Sequence, residues 1–236
     1  MKFSTIDELR ERFDKEVERF SNIETGHQAA MDSLEIMDII TDAAKRLCPK
    51  ATDMMDMGCG GGNYTLKMLE KLPYLNCTLM DLSPNMLINA EKRVKSFTDG
   101  YVRTIQGDFV SVMLPENKFD IVLSGSALHH LRESREWKIV FDKIYRSLKP
   151  GGCFWVSDVV RQENGIVQDI MWEKWFRYLD GIGMDIAHDY FRAHAEKEDT
   201  PRSIPFLLNL LTEVGFKDAD ILHKNSFFTI YGGIKK

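Results

Sequence analysis

The chain has 236 residues, 44% hydrophobic and 28% charged, which suits one soluble α/β unit with an elaboration and excludes disordered and low-complexity classes. A net charge of −5 and a pI near 5.7 give no global pull toward nucleic acid. The longest apolar runs, Phe119–Leu123 and Ser203–Leu211, fall far short of the roughly 20 residues of a membrane span, and the first 20 residues lack the apolar stretch of a secretory signal, so the cytoplasm is the default expectation.

In chain order, Asp7–Phe20 and Ala29–Leu47 repeat apolar residues at helical spacing (Leu9, Phe13, Val17, Phe20; then Leu34, Met37, Ile40, Ala44, Leu47), which predicts two helices before the first strand. Pro49 closes the second. Short β-like runs then alternate with amphipathic segments. Strands are expected over Asp53–Met57, Thr78–Asp81, Val102–Gln106, Phe119–Leu123 and Cys153–Val159, and helices from Asn63, from Pro84 with Ser83 as N-cap, and from Glu133. Lys149-Pro150-Gly151-Gly152 reads as a helix stop and turn. Between Val160 and Gly215 lie aromatic-rich helices too long for an ordinary connection. Ala219–Leu222 and Phe227–Tyr231, split by a turn at His223-Lys224-Asn225-Ser226, predict an antiparallel edge hairpin.

The fold class is therefore α/β: a Rossmann-like, mostly parallel seven-stranded sheet with helices on both faces. A single domain is expected, divided into an N-terminal helical cap (1–50), a cofactor-binding core (51–160), a helical insertion serving as acceptor lid (161–213) and a C-terminal hairpin (214–236). Cys48, Cys59, Cys77 and Cys153 show no Cys-x-x-Cys spacing, so they are expected to be reduced and mostly buried, without a metal site.

Asp56-Met57-Gly58-Cys59-Gly60-Gly61-Gly62 sits between the first strand and its helix, where glycines let a ligand approach the backbone. No Gly-Lys-Ser/Thr follows, which excludes a P-loop, and the dinucleotide fingerprint requires glycine where Asn63 stands. Three features accompany the loop: Asp56 just before it, Asp81 ending a strand 23 residues after Gly58, and Gly107-Asp108-Phe109 after the third strand. As a set they resemble the class I S-adenosylmethionine-dependent methyltransferase family, most closely over Asp53–Val159.

That resemblance implies S-adenosylmethionine as cofactor and S-adenosylhomocysteine as product. It implies that Gly58 and Gly60 pack under the cofactor, Asp56 helps hold its amino group and Asp81 accepts both ribose hydroxyls. Leu82 and Met86 would flank the adenine, with Asp108 accepting its exocyclic amine and Phe109 donating a backbone amide. Ionised carboxylates only accept hydrogen bonds, which matches hydroxyl and ammonium donors. The plainer alternative for Asp56 and Asp81 is a pair of solvated strand-end acids.

Methyl transfer from a sulfonium demands positioning and exclusion of water, with no catalytic triad. Ligands of open α/β sheets lie beyond the carboxyl ends of the strands, which puts Ser124 beside the methionine part of the cofactor. In Ala127-Leu128-His129-His130-Leu131, His129 or His130 is the best base candidate, a structural histidine being the competing reading. Ser21–Gln28 is expected to fold over the cofactor. Trp172, Trp175, Phe176 and Tyr178 either line an acceptor pocket or pack as core, and Arg202 is a candidate anchor for an anionic group.

A small-molecule acceptor is expected, with no membrane or nucleic-acid partner; the oligomeric state, homodimer included, is left open. Arg19-Phe20-Ser21-Asn22-Ile23 and Val214-Gly215-Phe216 carry a weaker resemblance to carboxy-S-adenosylmethionine synthases, whose Gly-Cys-Ser-Arg-Gly loop this sequence does not share. A nicotinamide-dependent oxidoreductase and a non-catalytic cofactor-binding module are the rivals from other classes.

Overall fold

In the computed structural model, which describes residues 3–184 and 188–236, one sheet is built from β1 (Asp53–Met57), β2 (Asn76–Asp81), β3 (Val102–Gln106), β4 (Phe119–Gly125), β5 (Leu148–Val159), β6 (Lys217–Asn225) and β7 (Phe228–Ile234). The order is β3-β2-β1-β4-β5-β7-β6, with β7 antiparallel to β5 and β6 and every other pair parallel. All five residues of β1 are buried, as expected of a central parallel strand covered on both faces, so it reads as a continuous run with no polar alternation.

The N-terminal region holds α1 (Ile6–Lys15), α2 (Val17–Ser21) and α3 (Ser33–Leu47); the crossovers are α4 (Asn63–Leu69), α5 (Pro84–Lys95) and α6 (Ser134–Ser147). Helices α7 (Gly165–Gly181), α8 (His188–Glu198) and α9 (Ile204–Val214) follow β5. The core sits between the sheet and these helices, with Met37 and Ile40 on α3, Trp137 and Phe141 on α6 and Leu211 on α9 at 0–1% exposure. Ser83 caps α5, accepting from the Met86 amide at 3.1 Å, with Pro84 in the first turn, as expected.

Several boundaries differ from expectation. The helix expected over Asp7–Phe20 breaks at Glu16, whose amide bonds Phe13, and the next begins at Ser33 because residues 22–32 form turns. Lys149–Gly152 belongs to β5: the Gly151 amide donates to the Lys235 carbonyl at 2.6 Å and the Lys235 amide to Gly152 at 2.9 Å, so long-range pairing overrides the local turn signal. The hairpin turn shrinks to Ser226-Phe227, since His223, Lys224 and Asn225 pair with Ile230, Thr229 and Phe228. Of the expected insertion, residues 185–187 lie outside the described residues.

All four cysteines are free and buried. The aromatic stripe on α7 serves packing: Trp172, Trp175 and Phe176 cluster with one another, and both tryptophans meet Phe227. Trp175 Nε1 donates to Ala29 O at 2.6 Å and Tyr178 Oη to Gln28 O at 2.8 Å, tying α7 to the N-terminal segment.

The segment after α8 is fastened to the sheet by a charge cluster. Asp158 on β5 accepts from the His129 amide at 3.0 Å and meets its Nδ1 at 2.5 Å, Asp199 faces Nε2 at 3.6 Å, and the Thr200 amide donates to His129 O at 2.8 Å. Burial opposes a charge on His129, but Asp158 and Asp199 together outweigh it and raise its pKa to about 9. A raised folded-state pKa contributes stability that is fully present below the unfolded value near 6.5 and is lost as pH rises through about 9. A shift of this size corresponds to roughly 3 kcal/mol. The melting temperature is therefore expected to drop between pH 7 and pH 10, with most of that drop absent in Asp158→Asn; an equal alkaline drop in both proteins would refute the assignment.

Candidate active site

Over the carboxyl ends of the central strands lies a cleft that opens to solvent. Its floor is the loop after β1. The Gly58 and Cys59 amides both donate to Met80 O, at 2.8 and 2.9 Å, which pins the loop to β2. Gly58 has φ +71°, and a Cβ there would strike Ala127 and approach the Phe109 ring at 3.2 Å, so only glycine fits. At Gly61 a Cβ would lie 2.7 Å from Phe20 O and Ser21, showing how closely the N-terminal segment presses on the loop.

Asp81 closes one side. One carboxylate oxygen accepts from the Gly60 amide at 2.8 Å and the other from Ser83 at 2.9 Å, which leaves a lone pair on each for a pair of hydroxyls. Leu82, Met86 and Phe109 wall the space beyond it. Asp108 also borders the cleft, but its Oδ2 is engaged by the Val110 and Ser111 amides at 3.0 Å each. The Phe109 amide has no partner among the described residues.

Asp56 and Ser124 lie beneath the floor, outside the lining. Asp56 is 1% exposed; Oδ2 accepts from Thr65 at 2.7 Å and Oδ1 is buried without a partner among the described residues. Burial, with a smaller push from Asp81, raises its pKa to about 7. Burial likewise raises Asp81. Ser124 Oγ donates to Met57 O at 2.8 Å, bracing β4 against β1.

Of the two histidines, only His130 lines the cleft; His129 stands behind it, ring centroids 4.2 Å apart. Burial, followed by the charge on His129, holds His130 well below the usual histidine range, so its imidazole is neutral. His129, His130 and Asp199 bring ligand atoms within 4.8 Å of one another, a set able to hold a metal ion, although here imidazolium His129 already supplies positive charge between two carboxylates. Arg202 is spent on Arg132 O at 2.7 Å and on the Phe206 ring, away from the cleft. Trp172, Trp175, Phe176 and Tyr178 do not line it either.

Helices α1 and α2 supply a roof that motif reading missed: Ile6, Leu9, Phe13 and Phe20 face the cleft. The signal was present in the apolar stripe of Asp7–Phe20. Asn63, where the dinucleotide pattern requires glycine, donates to Phe20 O at 2.9 Å and so holds this roof. Phe20 and His27, at the two ends of the polar segment, both reach the lining.

A diol acceptor at Asp81, an amide at Phe109 without a partner among the described residues and the apolar walls between them fit the hydroxyls and purine of S-adenosylmethionine, with the Asp56 carboxyl buried beneath the floor. Residues 55–156 match the family described as a methyltransferase domain. The demethylmenaquinone methyltransferase of Listeria monocytogenes is 27% identical over 192 residues, 79% of each chain. The malonyl-[acyl-carrier protein] O-methyltransferase of Paenibacillus is 32% identical over 107 residues, 44% of this chain and 38% of that one. Human N-acetylserotonin methyltransferase, solved with S-adenosylmethionine, shares the fold at TM-score 0.61 and 20% identity; the match covers 95% of this chain and 57% of that protein's length. A methyltransferase from Aquifex aeolicus matches at TM-score 0.62 and 13% identity over 94% of this chain and 98% of the other. The loop, the acids and these likenesses agree: residues 55–156 are similar to the methyltransferase domain, and the chain has the fold of class I S-adenosylmethionine-dependent methyltransferases.

Proposed function

We propose that this methyltransferase acts on a small, largely apolar acceptor seated at the His130 end of the cleft. The observation that carries this reading is the lining itself: among the described residues it contains no Lys or Arg, while Phe13, Ala127 and Leu131 surround a neutral imidazole. A phosphorylated or polynucleotide acceptor calls for cationic partners. A relative of comparable extent carries the name demethylmenaquinone methyltransferase, and a quinone-class acceptor suits these walls.

When bound, S-adenosylmethionine supplies an already activated methyl group. The chain's own task is then placement. Asp81 holds the ribose end, Asp56 presents negative charge beneath the amino group, Ser124 keeps β4 in register below the methionine part, and His130, as a neutral imidazole, orients the acceptor by accepting a hydrogen bond from it. His129 acts through His130 and the backbone, held by Asp158. Residues 161–213 form the lid over the acceptor and exclude water, and the enzyme works in the cytoplasm.

Transfer of labelled methyl from S-adenosylmethionine into organic-extractable products, with quinols, phenols, phosphorylated small molecules, protein and RNA offered in parallel, tests the acceptor class. Label appearing only in RNA or protein would overturn it. His130→Ala should lower kcat by about 100-fold with little change in cofactor affinity; unchanged turnover removes His130 from the reaction. Asp81→Ala should weaken S-adenosylmethionine binding roughly 10- to 100-fold by calorimetry.

Asp56 allows a pH test. Its folded pKa is raised from 3.8 to about 7, so ionisation costs stability progressively between those values, reaching about 4 kcal/mol above pH 7. Asp56→Asn should therefore raise the melting temperature of the cofactor-free protein at pH 8 and leave it nearly unchanged near pH 4. A variant less stable at pH 8 would show that the carboxylate is structural.

A further inference from the structure

S-adenosylmethionine carries one anionic group, the carboxylate of its amino-acid tail, yet the cleft offers it no Lys or Arg among the described lining residues. The side chains there able to meet a carboxylate as nitrogen bases are two imidazoles, His27 and His130. Their places differ. Asp81 and the walls at Leu82, Met86 and Phe109 hold the nucleoside, so the tail extends to the opposite end, past Gly60 toward Tyr64 and Gly125. A Cβ on Gly125 would strike the Tyr64 ring, which shows how tightly that end is closed. His27 is the imidazole found there, its ring centroid 6.3 Å from Tyr64 and 6.0 Å from Phe20, whose Cβ lies 3.9 Å from the position of a Gly60 Cβ.

His27 borders the cleft, and neither of its ring nitrogens has a hydrogen-bond partner among the described residues. Every other histidine with a described side chain is engaged: His129 with Asp158, His130 with Glu198 O, His188 with Asp180 and His223 with Asp32. The half-buried His27 ring therefore keeps its hydrogen-bonding capacity open to a ligand in the cleft. Arg19, stacked on Phe20 at 5.0 Å, adds positive potential to the same end.

We propose that His27 is the residue that binds the carboxylate of the cofactor's amino-acid tail. It is a binding and positioning residue: by fixing the tail it sets where the methyl group points, while His130 is left to the acceptor. In the empty cleft, burial and then Arg19 lower His27 to about 4, so it meets the carboxylate as a neutral N–H donor. The inference rests on the donor site being anchored at Asp81, and the experiment separates the two.

Calorimetric titration of the full chain, His27→Ala, His27→Gln and Asp81→Ala uses three ligands. S-adenosylhomocysteine has the whole tail, decarboxylated S-adenosylmethionine lacks only the carboxylate, and 5′-methylthioadenosine lacks the tail altogether. The expected result is that His27→Ala weakens S-adenosylhomocysteine about tenfold and shifts the other two by less than about twofold, with His27→Gln, which keeps an N–H donor, between wild type and alanine. Asp81→Ala should weaken all three alike. Equal losses for all ligands in His27→Ala, or no loss for any, would overturn the role of His27. No loss for any ligand in Asp81→Ala would instead refute the donor site. Retained methylthioadenosine binding shows that the His27 variants are folded, and an unfolded His27→Ala would leave His27→Gln to decide between the same outcomes.

Discussion

The hydrogen bond from the Gly60 amide to Asp81, at 2.8 Å, joins the loop after β1 to the end of β2, and the donor half of the cleft depends on it. The same carboxylate accepts from Ser83, the N-cap of α5, so one side chain positions the glycine loop, the start of a helix and the acceptors for a ligand's hydroxyls. This is demanding chemistry for a group 7% exposed. Burial raises Asp81, and the nearest compensation is backbone amides rather than a cation. A carboxylate held this way is costly in the empty protein and most stable when a donor-rich ligand is in place.

Strand β1 shows the contrast within four residues. Asp53 opens the strand and meets Lys118 at 2.6 Å and Lys149 at 3.3 Å; against the cost of burial, these contacts with Thr52 and Tyr101 pull it below the usual carboxylate range. Asp56, near the other end, has Thr65 as its hydrogen-bond donor and is pushed up to about 7. Acids at the amino end of the sheet are neutralised by the fold, and acids at the carboxyl end are left with unmet capacity. The histidines divide in a similar way: His129 is charged between Asp158 and Asp199, whereas His27 and His130 stay neutral beside the cleft.

Much of this was legible in the sequence because it is local. The glycine loop, Asp81 at the end of a strand, the Ser83-Pro84 helix start and the alternation that makes a parallel sheet are each written within a few residues, and the seven strands follow from them, whereas their order across the sheet does not. What escaped depended on partners far along the chain. The turn expected at Lys149–Gly152 was absorbed into β5 by Lys235, more than 80 residues away. The tryptophans of α7 gave the same helical stripe whether they faced a ligand or Phe227, and only packing decided between the two. His129 and His130 are neighbours with identical side chains, and their opposite protonation states come from Asp158 and Asp199 charging the first and from burial beside that charge for the second, which no spacing rule reveals. The roof from Ile6 to Phe20 read as one more amphipathic helix because its hydrophobic counterpart is the cofactor cleft itself.

That roof has a kinetic consequence. It is held to the core by a small number of polar contacts: Ser83 Oγ to Asp14 at 2.5 Å, Asn89 to Ser21 at 2.5 Å and Asn63 to Phe20 O at 2.9 Å, with Arg12 reaching Glu198 at 2.7 Å. Leu9 and Phe13 cover one side of the cleft while those contacts persist. Fraying of these two short helices widens the way out for a spent ligand, and through Arg12 it is linked to Glu198 at the end of α8.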